Sequence, residues 1–131
     1  TLREAGQGRA LDGLRWTFVV VDSPQVNAFA LPNGAVVVYT GLLQRFSDDS
    51  ELATILAHEV AHVVCRHAAE KISYHSAISL GVGVATNFLN MGAGWAHGLA
   101  QLALELPFSR ECELEADAVG LRVMSRACFD P

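Results

Sequence analysis

Residues 16–21, Trp-Thr-Phe-Val-Val-Val, form a run of β-branched and aromatic side chains that predicts a strand. Asp22-Ser23-Pro24 breaks it, and Asn27-Ala28-Phe29-Ala30 reads as a short extended piece. Pro32-Asn33-Gly34 is a turn signal, after which Ala35 to Thr40 predicts another strand, ended by Gly41. Together these predict a small antiparallel, hairpin-like sheet. The pattern then changes period. Ser47-Asp48-Asp49-Ser50 offers several N-caps, and Glu51 stands three residues after Asp48 in a capping-box arrangement with Asp in place of Ser or Thr. Leu52, Leu56, Val60, Val63 and Val64 recur at helical spacing, which predicts one helix from about Ser50 to about Ser73. Residues 1–15 give at most a weak helical pattern.

Residues 72–104 contain no Asp, Glu, Lys or Arg, and the stretch is long enough to cross a bilayer. Its content argues otherwise. Gly81, Gly83, Gly92, Gly94 and Gly98 interrupt it, and Asn87, Asn90 and His97 are costly in hydrocarbon. The expectation is two short helices joined by a loop near Asn90-Met91-Gly92. Pro107 predicts a break, Ser109 an N-cap, and the pattern after them a last helix from about Arg110 to Arg126. A few strands followed by a run of helices indicates the α+β class. At 131 residues and 14.0 kDa the chain is expected to be a single domain over 1–131. It starts at Thr1 without a Met, and it is read as a domain excised from a longer protein.

Composition narrows the function classes. Hydrophobic residues make up 51% and charged residues 18%, which excludes a disordered chain. With 9 Lys+Arg against 14 Asp+Glu, the net charge of −5 offers no basic patch for nucleic acid. A mean hydropathy of +0.29 is high for a soluble surface and hints at a membrane or a partner. Cys65, Cys112 and Cys128 are odd in number and form no CxxC pair, which argues against a disulfide framework and a cysteine-based zinc site.

The chemistry lies in His58-Glu59-Val60-Ala61-His62, an HExxH motif inside the clearest helical pattern of the chain. Residues four apart share one helix face, so two imidazoles can aim at one Zn²⁺. Glu59 beside them can reach a water molecule at the metal. A third protein ligand must come from elsewhere, because Cys65-Arg66-His67-Ala68 does not continue the HExxHxxGxxH pattern. In Ser109–Gly120, residues Glu113, Asp117 and Gly120 lie at i, i+4 and i+7 on one helix face. Glu113 can supply an oxygen to the metal. Asp117 can accept the second ring N–H of a ligating His, and Gly120 permits close approach of the two helices. Glu111 and Glu115 are accounted for by the dipole at a helix N-terminus.

These motifs resemble the gluzincin zinc peptidases that include HtpX, the CAAX prenyl endopeptidase and the Oma-type mitochondrial protease. The second pattern here is Ser109, Arg110, Glu113, Ala116 and Asp117. Arg66-His67 after the zinc motif also matches, as do Asn27–Gly34 and Val37–Leu43. The resemblance covers roughly residues 14–126, and the run from His58 to His67 is most similar to the Oma-type branch. It implies a mainly helical zincin-like α+β fold, with the small antiparallel sheet preceding the HExxH helix. It implies one Zn²⁺ held by His58, His62 and Glu113, with Glu59 as catalytic acid and base. It further implies a zinc endopeptidase acting on membrane-associated or unfolded proteins, in quality control at the mitochondrial inner membrane or the bacterial envelope. Members of the family generally carry membrane segments or further domains. Membrane association is therefore expected through segments outside this chain or through residues 77–104.

Three points stay open at the level of sequence. The oxyanion of peptide hydrolysis needs a donor besides zinc, and Tyr74, His75, His97 and Arg110 are all candidates. The strand around Val36, Val37 and Val38 is expected to bind substrate, provided it presents a free edge to an extended peptide. The alternative to an enzyme is a non-catalytic or latent zinc-stabilised module that binds a membrane protein or chaperone client. Glu59 favours catalysis, because a structural zinc site has no need of a neighbouring base.

Overall fold

Alternation of buried and half-buried valines is what makes Ala35–Tyr39 (β3) the centre of the sheet. In the computed structural model, which describes residues 13–89 and 93–129 and only the backbone at 85–89 and 93–107, two further strands flank it. Thr17–Val21 (β1) pairs with β3 in parallel, Thr17 opposite Ala35 and Val21 opposite Tyr39. Ala28–Ala30 (β2) pairs with it antiparallel, Phe29 opposite Val37. The expected hairpin is thus β2–β3, closed by the predicted Pro32-Asn33-Gly34 turn. Gly34 sits at φ +89, where a side chain would be strained, and Asn33 Oδ1 accepts from the Ala35 N–H at 3.1 Å. β1 adds to the far side of β3 through a crossover, so the sheet is mixed.

That order corrects the expectation for Val36, Val37 and Val38. Both edges of β3 are taken up, by β1 on one side and β2 on the other, so these residues have no free backbone edge to offer a peptide. Val36 and Val38 instead form the core, at 0% and 5% exposure, with Ala28, Leu42, Val60 and Val64. Among the described residues, the outer strands of the sheet are β1 and β2.

Thr40–Arg45 forms a short helix (α1), so the chain turns into helix at Gly41. Asp49–Val64 (α2) follows, with Asp48 as N-cap; its carboxylate accepts from the Ser50 N–H at 2.9 Å, as the capping pattern predicts. The helix expected to run to Ser73 stops at Val64. Cys65 caps it, and Arg66 adopts φ +61, a left-handed conformation that ends a helix and favours glycine. The backbone N–H of Arg66 donates to Val63 O at 3.1 Å. No Gly or Pro marks this point, so the sequence gives no stop signal there.

His67–Leu89 (α3) and Ala93–Arg126 (α4) complete the chain. The loop expected at Asn90-Met91-Gly92 lies outside the described residues. α4 passes through Pro107, where a break was expected. A proline removes one backbone hydrogen bond and crowds the carbonyl four residues back, at a cost of about 3 kcal/mol. Here good helix formers on both sides, Leu102–Leu106 and Arg110–Ala116, continue the helix across that single defect. Glu111 and Glu115 therefore sit in a helix interior, and the N-terminal dipole does not account for them. No helix of the described residues is long and apolar enough to cross a membrane. The chain divides into two compact units, one of residues 1–66 with 114–131 and one of residues 67–113.

Candidate metal centre

Two elements of the first unit frame the motif. Ala61, Ala116 and Val119 form a small core between α2 and the C-terminal part of α4, with Cys65 and Val123 packed against it. Gly120 lets the helices meet: a Cβ there would lie 3.3 Å from the backbone of Ala57 and of His58. The sequence asked for a small residue at this position, and the reason is a backbone approach and not a turn.

This packing places Asp117 against the zinc motif. Its Oδ1 lies 2.9 Å from His58 Nδ1. A carboxylate can only accept, so it holds the proton on Nδ1 and makes Nε2 the nitrogen of His58 that carries the lone pair. That Nε2 faces the Nε2 of His62 at 3.0 Å, with the two rings edge to face and their centroids 4.7 Å apart. Two imidazoles bound to one tetrahedral ion, with bonds of 2.0–2.1 Å, hold their nitrogens about 3.3 Å apart. The observed pair is already close to that spacing.

Glu113 stands one turn before Asp117 on the uninterrupted α4. Among the described residues, His58, His62 and Glu113 each offer one ligand atom within 4.8 Å of the others. Two half-buried imidazoles and an exposed carboxylate are a donor set of the kind that suits zinc in a three-ligand site. Glu59 is half-buried on α2, next in sequence to His58.

Residues 2–131 match the family described as Peptidase family M48. The chain belongs to that family. Among its relatives, the mitochondrial metalloendopeptidase OMA1 of Schizosaccharomyces pombe is 46% identical over 121 residues, 92% of this chain and 36% of that protein. The human mitochondrial metalloendopeptidase OMA1 is 39% identical over 127 residues, 89% of this chain and 24% of its own length. The beta-barrel assembly-enhancing protease of Escherichia coli is 33% identical over 124 residues, 87% of this chain and 26% of its own length. The chain thus spans about a third or less of these relatives. The family membership agrees with the HExxH pattern and the second acidic helix read from the sequence.

The remaining sequence candidates of this M48 chain are distributed as follows. Tyr74 and His75 are half-buried on α3, and Arg110 is exposed on α4. Tyr74 stacks its ring on Phe108, with centroids 4.7 Å apart and planes 11° from parallel. That contact accounts for the ring whatever its hydroxyl does. His97 falls in the backbone-only part of α4, and its side chain lies outside the described residues. A second group of possible ligands, Cys65, His67 and Glu115, was missed. The absence of CxxC pairs argued against cysteine as a ligand, but this group mixes donor types and draws them from two parts of the chain. The spacing Cys65-Arg66-His67 was the available signal.

Proposed function

We propose that this chain is the catalytic domain of a zinc endopeptidase, residues 1–131, with one Zn²⁺ held by His58, His62 and Glu113. The observation that carries the reading is the Asp117–His58 hydrogen bond. It fixes the tautomer that aims a lone pair at the same point as His62. A bound Zn²⁺ supplies a Lewis acid that polarises the scissile carbonyl and acidifies water. Glu59 takes the proton from the attacking water and delivers it to the leaving amine. Asp117 balances the positive charge that builds on the His58 ring and keeps that ring from turning. Arg110, Tyr74, His75 and His97 are the residues from which an oxyanion donor is to be sought.

The substrates proposed are polypeptides, in particular membrane-associated or unfolded ones, in quality control at a mitochondrial inner membrane or a bacterial envelope. What supports this reading is that M48 relatives are named a mitochondrial metalloendopeptidase and a beta-barrel assembly-enhancing protease. Residues 77–104, which contain no Asp, Glu, Lys or Arg, are the part of this chain proposed to lie near a membrane, together with segments outside it.

The test pairs metal content with cleavage of an unfolded protein. Wild type should hold about one tightly bound Zn²⁺ per chain, and His58→Ala or His62→Ala should lose it, since each removes one of three protein ligands. Glu59→Gln should keep zinc and fold while hydrolysis falls by roughly 100-fold or more, the usual contribution of a general base. A bound-zinc count in the double variant His58→Ala with His62→Ala equal to that of wild type would sink the ligand assignment. Wild-type cleavage by Glu59→Gln would remove Glu59 as the base.

A further inference from the structure

The exposed side of α4 beyond Glu113 is divided by polarity. Leu114 is 69% and Leu121 50% exposed, and Ala118 between them is exposed as well. Spacings of four and three residues make these three neighbours on one helix surface, about 5–6 Å apart at Cβ, so they form one apolar patch and not isolated side chains. The exposed charges Glu115, Arg122 and Arg126 lie elsewhere: at about 100° per residue they stand about 140–180° round the helix from Asp117. Leu121 and Leu114 stand only about 40° and 60° from Asp117, on the side turned away from the core of Ala61, Ala116 and Val119. Asp117, with its side chain 63% exposed, is bonded to His58 at 2.9 Å. The patch therefore borders the residue that orients His58, and His58, Asp117 and the patch all belong to one compact unit.

We propose, on the reading of His58, Glu59 and His62 as the catalytic motif, that Leu114, Ala118 and Leu121 receive an apolar side chain of the polypeptide substrate beside the bond that is cleaved. They then set the specificity of the domain. Two observations select a substrate as the occupant. The patch is continuous with the Asp117–His58 pair, so whatever covers it lies against the reaction centre. M48 is a peptidase family, whose substrates are polypeptides. The chemistry of the patch selects the kind of residue. A Leu, Ile, Val, Met or Phe side chain gains by covering the two leucines, whereas a Ser, Asn or Asp side chain loses water there and finds no hydrogen-bonding partner on them. Chain segments rich in apolar residues are buried in folded proteins and exposed in unfolded ones, so this preference by itself directs cleavage to unfolded polypeptide.

The full chain loaded with zinc is incubated with a mixture of peptides of varied sequence, and mass spectrometry follows every cut in competition, which yields ratios of kcat/KM. Wild type is expected to show one position flanking the cut at which apolar residues are preferred to polar ones by roughly tenfold or more. Leu114→Ala with Leu121→Ala keeps a good helix former at two exposed positions. It should slow cleavage of the apolar-flanked peptides roughly tenfold and leave the polar-flanked ones within about twofold of wild type. Leu114→Lys with Leu121→Lys should turn the preference at the same position toward Asp and Glu. A wild type with no apolar position would overturn the proposal, as would an Ala pair or a Lys pair that keeps the wild-type preference. An Ala pair that slows all peptides alike would also overturn it, because a purely structural role has that effect. In each of these results hydrolysis persists and the catalytic reading stands. Absence of hydrolysis in wild type removes that reading and this specificity with it.

Discussion

Removing the Asp117 carboxylate should weaken zinc binding without unfolding the protein, by an amount that its surroundings bound. Its Oδ1 lies 2.9 Å from His58 Nδ1, a good length for a charge-assisted hydrogen bond. Such a bond contributes about 1.5–3 kcal/mol when buried. Here the Asp117 side chain is 63% exposed and that of His58 26%, so solvent screens the pair and the lower end applies. At about 1.4 kcal/mol per factor of ten, Asp117→Ala should reduce zinc affinity roughly tenfold, near the bottom of the 10–100-fold range known for partners of ligating histidines. Asp117→Asn tests the tautomer argument separately. Its amide can accept from Nδ1–H, as the carboxylate does, or donate to Nδ1 and push the ring proton onto Nε2, where it blocks the metal. It should therefore also lose affinity, although it keeps shape and hydrogen-bonding capacity. Competition against a chelator of known affinity measures both variants, and denaturant unfolding of the metal-free proteins checks the fold. If Asp117→Ala bound zinc as wild type does, the carboxylate would not be orienting His58, and the coordination geometry argued from that bond would be wrong.

Two further variants probe the scaffold. Gly120→Ala puts a Cβ 3.3 Å from the backbone of Ala57 and His58; a crowding cost of about 1–3 kcal/mol against a helix-propensity gain of about 1 leaves a net loss of about 1 kcal/mol in urea unfolding. Zinc affinity should fall with it, and an Ala variant unchanged in both would mean that the helices do not meet as described. Val36→Ala removes a fully buried side chain from the central strand and should cost about 2 kcal/mol in the same assay, as a cavity in a packed core does; a cost within about 0.5 kcal/mol, typical of a surface site, would show that Val36 is not core.

The parts of the site that were legible from sequence were those in which one helix carries its own geometry. His58 and His62 must share a face at a separation of four, and Glu113, Asp117 and Gly120 share another for the same reason, whatever the rest of the chain does. Asp48 likewise announces the start of α2 by local capping chemistry. What failed depended on information that no short window holds. Arg66 ends α2 in a left-handed conformation at a cost of about 1–2 kcal/mol. A non-glycine pays that cost only where the surrounding fold imposes it, so the sequence reading ran the helix on to Ser73. Pro107 failed in the opposite direction: a strong local breaker is overridden by the helix on both sides.

The sheet and the second donor group expose the same limit from another side. Strand-forming residues were placed correctly, yet the partners of β3 were not, because pairing with β1 joins positions that lie about a strand-and-turn apart and no residue type encodes it. The consequence is functional. A strand read as a substrate edge is the centre of the sheet, and Val36 and Val38 serve the core beneath α2 instead. Peptide pairing by strand addition then has to use an outer strand, and β1 and β2 differ in what they offer. β1 is exposed at all five positions, whereas β2 has Ala28 buried and Phe29 half-buried. Of these two outer strands, β2 is the one that packs closely against α2, the helix of the HExxH motif. A peptide adding to β2 would therefore run beside the element that carries His58, Glu59 and His62, while one adding to β1 would be separated from it by the width of two strands, roughly 10 Å. If this domain reads its substrates by backbone pairing, the expectation is that they add along Ala28–Ala30 and not along β1, and substitutions on β1 should leave cleavage unchanged.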